Sequence, residues 1–305
     1  MLSLRKFFYM LYPVHIPRNF LQYLISVIIF YAIFGEISLE RAVLGGIAFT
    51  LSYQFAYALN DLVDYKYDIK DKNIVKKKQA LHYPLHSGIV KNEELLPFSI
   101  VIFLIGIFLA TLLNPVFLLV QLVLFVFIFL HSNPFFRIKS ISLLLYMNMI
   151  LIQFIKFSLG WFSQINSLEV FPYWLILFLS LVYVTAYRYY KSHFSTNLKI
   201  SNISDFIIIL ALIISYSFSI VLYNIPFPLF FTTISSLVLY FFYFERLKNL
   251  KEKMQKGILI VKLFYLIFLF SLILTQLHPA ILNVNYFLSM TLENNAIIYF
   301  IKSLL

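Results

Sequence analysis

One short stretch of an otherwise apolar chain carries three carboxylates and an amide: Tyr57-Ala-Leu-Asn60-Asp61-Leu-Val-Asp64-Tyr-Lys-Tyr-Asp68. Asp61, Asp64 and Asp68 are spaced i, i+3, i+7, so a continued helix places them on one face with Asn60 beside them. Carboxylates gathered in this way repel one another unless a cation joins them. Mg2+ suits such a set, because it is a hard ion that takes oxygen ligands and bridges a few protein carboxylates to substrate phosphates. The chemistry on offer is neutralisation of the charge that develops on a diphosphate leaving group. The bland alternative is a solvated acidic turn in which Lys66, Lys70 and Lys72 pair with the acids.

The elements that position this cluster are membrane helices. Of 305 residues, 62% are hydrophobic and only 12% charged, with 35 Phe and 22 Tyr, against about 25% charged residues in a soluble domain. A bilayer core takes about 20 apolar residues per helix. Runs of that kind lie near 18–35, 41–60, 95–113, 115–131, 140–162, 171–187, 203–223, 226–243 and 257–276. The expectation is a single all-α domain over 1–305, a polytopic bundle of about nine transmembrane helices around a central cavity. The first run is longer than a signal-peptide core and no small-residue cleavage site follows it, so it reads as a retained helix. Asn114-Pro115 separates the third and fourth runs, and Asn224-Ile225-Pro226 the seventh and eighth.

Net charge is +11, yet the basic residues orient the chain in a bilayer and do not form a nucleic-acid surface. With the N-terminus cytoplasmic, twenty of the 24 Lys and Arg fall in the arm before the first helix and in the connections at 61–94, 132–139, 188–202 and 245–256. Only Arg41 falls in an outer loop. This is the asymmetry of the positive-inside rule, and it puts the acidic cluster on the cytoplasmic side. The absence of Cys excludes disulfides, thiolate catalysis and Cys-ligated metals.

Lys156 sits mid-helix in Ile152-Gln153-Phe-Ile-Lys156-Phe-Ser158-Leu-Gly160. A lysine at the bilayer centre costs about 2.5–3.5 kcal/mol on insertion scales. It therefore either faces a wet cavity or an acidic partner, or snorkels to an interface.

The cluster resembles the first signature of the UbiA-type intramembrane prenyltransferases, N-D-x-x-D-x-x-x-D at the end of the second of nine helices. Pro84-Leu-His-Ser87-Gly88-Ile-Val resembles that family's P-L-P-S-G-x-I turn, and His131-Ser132-Asn-Pro134-Phe-Phe-Arg137-Ile-Lys139 resembles its Y-S-x-P-P-x-K-x-K segment. The resemblance covers roughly residues 15–275. It implies a Mg2+-dependent membrane transferase moving a prenyl group from a prenyl diphosphate to an aromatic or other hydrophobic acceptor. Asp61, Asp64 and Asp68 would hold the metal, with Asn60, Ser132, Arg137 and Lys139 contacting the donor.

Two features depart from the family. Its second acidic motif, D-x-x-x-D after helix six, is replaced by the acid-free Ala186-Tyr187-Arg188-Tyr-Tyr-Lys191-Ser-His193-Phe-Ser195-Thr196. There Arg188, Lys191 and His193, with Tyr187, either neutralise the diphosphate directly or are ordinary positive-inside residues. The basic R-P pair ahead of the P-L-P-S-G turn is also missing, and His82-Tyr83 stands in its place. Lys156, with Arg188, partly matches the branch of the same superfamily that transfers phosphoribose to a polyprenyl phosphate. That donor, and a non-catalytic ligand-binding or transport role, are the alternatives.

Overall fold

The computed structural model describes residues 4–80, 82–132, 142–192, 210–219 and 266, except for the side chains of 73, 77, 80, 142–143 and 186–192. Every regular element among them is helical: α1 (Leu4–Met10), α2 (Ile16–Phe34), α3 (Leu39–Asp68), α4 (Lys72–Ala80), α5 (Asn92–Thr111), α6 (Pro115–Ser132), α7 (Ser142–Phe162) and α8 (Tyr173–Ser192). Five helices among the described residues are long and apolar enough to cross a membrane: Ile16–Phe34, Leu39–Asp68, Asn92–Thr111, Pro115–Ser132 and Leu144–Phe162. These coincide with the first five apolar runs. The runs at 226–243 and 257–276 lie outside the described residues, apart from Leu266.

Local chemistry sets the boundaries. Ser38 caps α3, accepting from the Arg41 amide at 3.3 Å, and Asn114 caps α6, accepting from Phe117 N at 2.7 Å, with Pro115 in the first turn where its missing N–H costs nothing. Glu94 reaches back to the Lys91 amide at 3.0 Å at the start of α5 and also binds Lys6 at 2.6 Å, tying α1 to that helix. The 61–94 segment is more ordered than a simple connection. α3 runs for 30 residues, about 45 Å, which exceeds a bilayer core of about 30 Å, and its last turns carry the acidic cluster as helix. α4 follows, capped by Asp71, which accepts from Ile74 N at 3.3 Å.

The residues fall into two compact units, one of 1–27 and 37–169, the other of 28–36 and 170–305. In the first, α3 packs along α5 and touches α6 and α7, while α6 packs on α7. The α3–α5 seam closes on Gly106, where a Cβ would come within 2.6 Å of Ser52 N. Small residues at such a seam let membrane helices approach backbone to backbone. Gln121 of α6 adds a buried hydrogen bond to Ser52 Oγ at 2.7 Å. In the second unit, Trp174 of α8 stacks on Phe218 with ring centroids 4.7 Å apart, and Phe178 meets Tyr216 at 4.6 Å.

Candidate active site

Helix α3 continues through Asp68, so the shared face expected from the spacing exists. The structure nevertheless divides the motif. Asp61 is wholly buried, whereas Asn60, Asp64 and Asp68 are half-buried. Both oxygens of Asp61 are engaged. Oδ2 accepts from the Tyr12 hydroxyl at 3.2 Å, and Oδ1 faces the Lys78 ammonium at 3.2 Å and His86 Nδ1 at 3.1 Å. The same ammonium lies 2.5 Å from Asp68 Oδ2, so one lysine from α4 bridges two carboxylates of α3. The partner of these acids is thus Lys78, in place of the Lys66, Lys70 and Lys72 of the solvated-turn alternative.

The 69–91 segment is folded down onto this anchor. His86 belongs to the Pro84–Gly88 turn, in which Ser87 Oγ donates to Pro84 O at 2.9 Å and Gly88 takes φ +69°, the left-handed region that favours glycine. Gln79 donates to His86 O at 3.0 Å. Burial pushes the His86 imidazole below its ordinary value, against the opposing pull of Asp61 and Asp68. Burial, helped by Asp61, holds the Tyr12 phenol well above its own. Tyr12 adopts φ +46°, an uncommon conformation for a bulky residue, and is 1% exposed. Around it Met10, Ala58, Leu85, Val90 and Leu95 form a buried apolar cluster that seals this end of the helices.

A polar chain runs from this anchor into the membrane-spanning part. The Tyr12 ring packs 5.7 Å from that of Tyr57, and His15 stacks on Tyr57 at 4.4 Å. The Tyr57 hydroxyl accepts from Arg18 at 2.6 Å and from Asn19 Nδ2 at 3.0 Å. Asn19 Oδ1 in turn accepts from the Lys156 ammonium at 2.8 Å, and that ammonium lies 4.5 Å from the centre of the Tyr53 ring. Lys156 is 1% exposed, so it does not snorkel. Gln22 donates to Gln153 at 2.9 Å beside it.

Of the other residues singled out by the sequence, Ser132 is buried in the last turn of α6, and Tyr187, Arg188 and Lys191 lie on α8 in the second unit. Arg137, Lys139 and His193 lie outside the described residues. Sequence reasoning did not single out Tyr12, Asn19, Tyr57, Lys78 or His86 as site residues. The available signals were a histidine where the family turn has its second proline, and an asparagine inside an apolar run.

Oxygen donors dominate the motif, which is the donor chemistry Mg2+ takes. Among the described residues no three His, Asp or Glu side chains form a ready metal cluster. An ion held by one or two carboxylates plus waters and substrate phosphates needs no such cage. Asn60, Asp64 and Asp68, at i, i+4, i+8 along α3, are the polar side chains of the motif not wholly buried and would fill that role, Asp68 by exchanging the Lys78 ammonium for the ion.

No curated protein matches the sequence. Solved structures do match the fold. A UbiA homologue from Archaeoglobus fulgidus bound to GPP and Mg2+ is 19% identical, with 90% of this chain and 87% of that one covered at a TM-score of 0.52. The same homologue bound to DMAPP and Mg2+ gives 20% identity, the same coverage and a TM-score of 0.53. A digeranylgeranylglyceryl phosphate synthase gives 16% identity, 89% and 98% coverage and a TM-score of 0.54. The model of the UbiA prenyltransferase family matches residues 21–256, well over half of the sequence, and the chain belongs to that family.

Proposed function

We propose that this protein transfers a prenyl group from a prenyl diphosphate to a lipid-soluble acceptor inside the membrane. The observation that carries the reading is the row Asn60, Asp64 and Asp68 on the projecting end of α3, in a UbiA-family chain whose described helices are apolar enough to span a bilayer. The solved relatives bound to GPP or DMAPP with Mg2+ support it. Asp64 and Asp68, with Asn60, would hold the metal, which when bound supplies positive charge for the leaving diphosphate. Asp61 fixes the connection that closes this end, through Tyr12, Lys78 and His86. In the reaction the allylic C1–O bond breaks with both electrons leaving on the diphosphate. The acceptor's electron pair then forms the new bond to C1, and the proton it displaces passes to the released diphosphate. Closure over the helix end excludes water, which would otherwise capture the cation.

The acid-free stretch Tyr187 to Thr196 gives the reading its particular stoichiometry. A diphosphate carries more charge than one ion bound by several carboxylates can offset, so fixed cations, Arg188 and Lys191 with Arg137 and Lys139, supply the remainder. One Mg2+ per bound donor is expected. The Arg188→Ala/Lys191→Ala double variant is expected to weaken donor binding roughly a hundredfold. A donor complex with two metals, or wild-type affinity in that variant, defeats this part of the reading.

The activity itself is tested in proteoliposomes with farnesyl diphosphate and a lipid extract, followed by mass spectrometry with and without EDTA. Diphosphate release and a prenylated product that both require Mg2+ are expected. No metal-dependent turnover with any allylic diphosphate sinks the proposal. Orientation is tested separately. A cysteine in place of Lys76, an exposed residue of α4 in a chain without native thiols, is expected to react from the cytoplasmic side alone. Labelling only from outside would reverse the topology.

A further inference from the structure

Lys78 departs from the other lysines of its connection. Lys70, Lys72 and Lys76 are exposed. On α4, Lys72 and Lys76 share one face, and Lys78 stands about 200° round the helix from Lys76. Its side chain is 15% exposed, with the ammonium 3.2 Å from Asp61 Oδ1 and 2.5 Å from Asp68 Oδ2. The centre of the Tyr83 ring lies 4.9 Å from it. Other contacts also keep α4 in place: the Asp71 cap, the Gln79 bond to His86 O, and His86 against Asp61.

Asp68 is thus claimed by two cations, the ammonium and the metal. Mg2+ binds oxygen at about 2.0–2.1 Å, so an ion on Asp68 Oδ2 would lie less than about 5 Å from the ammonium where it now stands. Two positive charges that close, at a site partly shielded from water, repel strongly. That oxygen holds one of them at a time. Asp61 takes no part in the exchange, since it is wholly buried and bound to Tyr12 and His86 as well. Lys78 therefore gives up one carboxylate and keeps the other, and stays close by as an opposing charge. An ion that arrives with a diphosphate brings anionic oxygens that offset the ammonium, whereas an ion alone meets it in full.

We infer that Lys78 is a built-in competitor for the metal, which keeps the affinity for the ion alone low and makes loading depend on the diphosphate that carries it. The inference rests on the metal-holding part of the prenyl-transfer reading and adds an order to it: ion and donor enter together. Lys78 acts here through Asp68, as a positioning residue.

Two measurements on the full chain in zwitterionic nanodiscs test it. In the wild type, lysines are acylated in a brief pulse and located by mass spectrometry of chymotryptic peptides. Saturating Mg2+ with farnesyl S-thiolodiphosphate, a slowly reacting donor analogue, is expected to raise acylation of Lys78 severalfold over the analogue with EDTA. Lys6, whose partner Glu94 lies outside the motif, and the exposed Lys72 and Lys76 should not change. Metal affinity is then read by ultrafiltration with Mn2+, which takes the same oxygen ligands. Lys78→Met is expected to bind Mn2+ alone roughly tenfold tighter than the wild type, the effect of one charge-assisted contact removed. With the analogue in excess the two proteins should agree within threefold, and Lys76→Met should match the wild type in both conditions. Acylation of Lys78 that ignores the metal overturns the inference, and it does so even if Lys78→Met fails to fold. So does Mn2+ binding that is equal or weaker in Lys78→Met, or a tenfold difference that persists with the analogue. Turnover of farnesyl diphosphate is assayed separately, and its absence in a chain that shows these effects fails the transfer reading alone.

Discussion

Asp61→Ala and Asp64→Ala, three residues apart in one motif, are expected to fail in opposite ways. Removing the Asp61 carboxylate leaves the Tyr12 hydroxyl, the Lys78 ammonium and His86 around a vacated site that is wholly buried in the wild type. Breaking one side of a buried ion pair costs about 3–5 kcal/mol, because the surviving charge stays desolvated. Lys78 keeps Asp68 and is partly exposed, which puts the expectation near the lower bound. The loss falls on the connection first. Trypsin should cut sooner at the exposed Lys70, Lys72 and Lys76, and the thermal midpoint should drop by several degrees. Asp64→Ala removes a half-buried side chain and should shift both observables less than Asp61→Ala does. Its deficit is in metal-dependent donor binding, expected to weaken about a hundredfold or more. Asp61→Asn, which keeps the shape and one acceptor, should fall between. If Asp61→Ala retained wild-type protease resistance and lost metal-dependent donor binding as Asp64→Ala does, the division of the motif would be wrong.

That division shows where the sequence was legible and where it was not. Apolar run length placed the first five spans, because a bilayer fixes helix length directly. The Asn-Asp pattern located the helix end that carries the acids, since helical spacing depends only on local geometry. Whether a given carboxylate on that end faces a ligand or another part of the chain is a tertiary matter. Tyr12 reaches Asp61 across 49 residues and Lys78 across 17, and neither separation has a periodicity that could announce it. Lys78 was especially hidden, as the last of three consecutive lysines in a loop where positive charge is expected for topological reasons alone. Lys156 was legible as an anomaly, because charge inside an apolar run has to be explained. Its partner is an amide, Asn19, and not an acid, and its burial sets aside the snorkelling alternative.

Gly160→Val is expected to cost more than any surface change in the chain, and to act on the Lys156 network. Helix α7 crosses α2 with Gly160 against the backbone of Tyr23, so close that even a Cβ at this position would overlap the Tyr23 carbonyl oxygen and sit within 2.5 Å of Ser26 Oγ. The obstacle is backbone, so no rotamer change relieves it, and the two helices must separate. Gly160 lies four residues after Lys156, and Tyr23 four after Asn19. The close crossing is thus one turn from the Lys156–Asn19 hydrogen bond on both helices and sets its length. Overpacking ordinarily costs about 1–3 kcal/mol and more where nothing can yield. A valine here should therefore lower the thermal midpoint of the purified protein by ten degrees or more, or abolish folded yield. Gly160→Ala is the milder variant. If it folds, it should lower the thermal midpoint by several degrees while leaving metal-dependent donor binding close to wild type, since the acidic motif is held by α3, Tyr12 and the loop. The control is Gly35→Ala, where nothing lies within 4 Å of the added methyl and the strain comes from φ +76° alone, worth about 1 kcal/mol. A Gly160→Ala protein with wild-type stability would mean that the α2–α7 crossing yields to an added methyl and does not set the Lys156–Asn19 hydrogen bond.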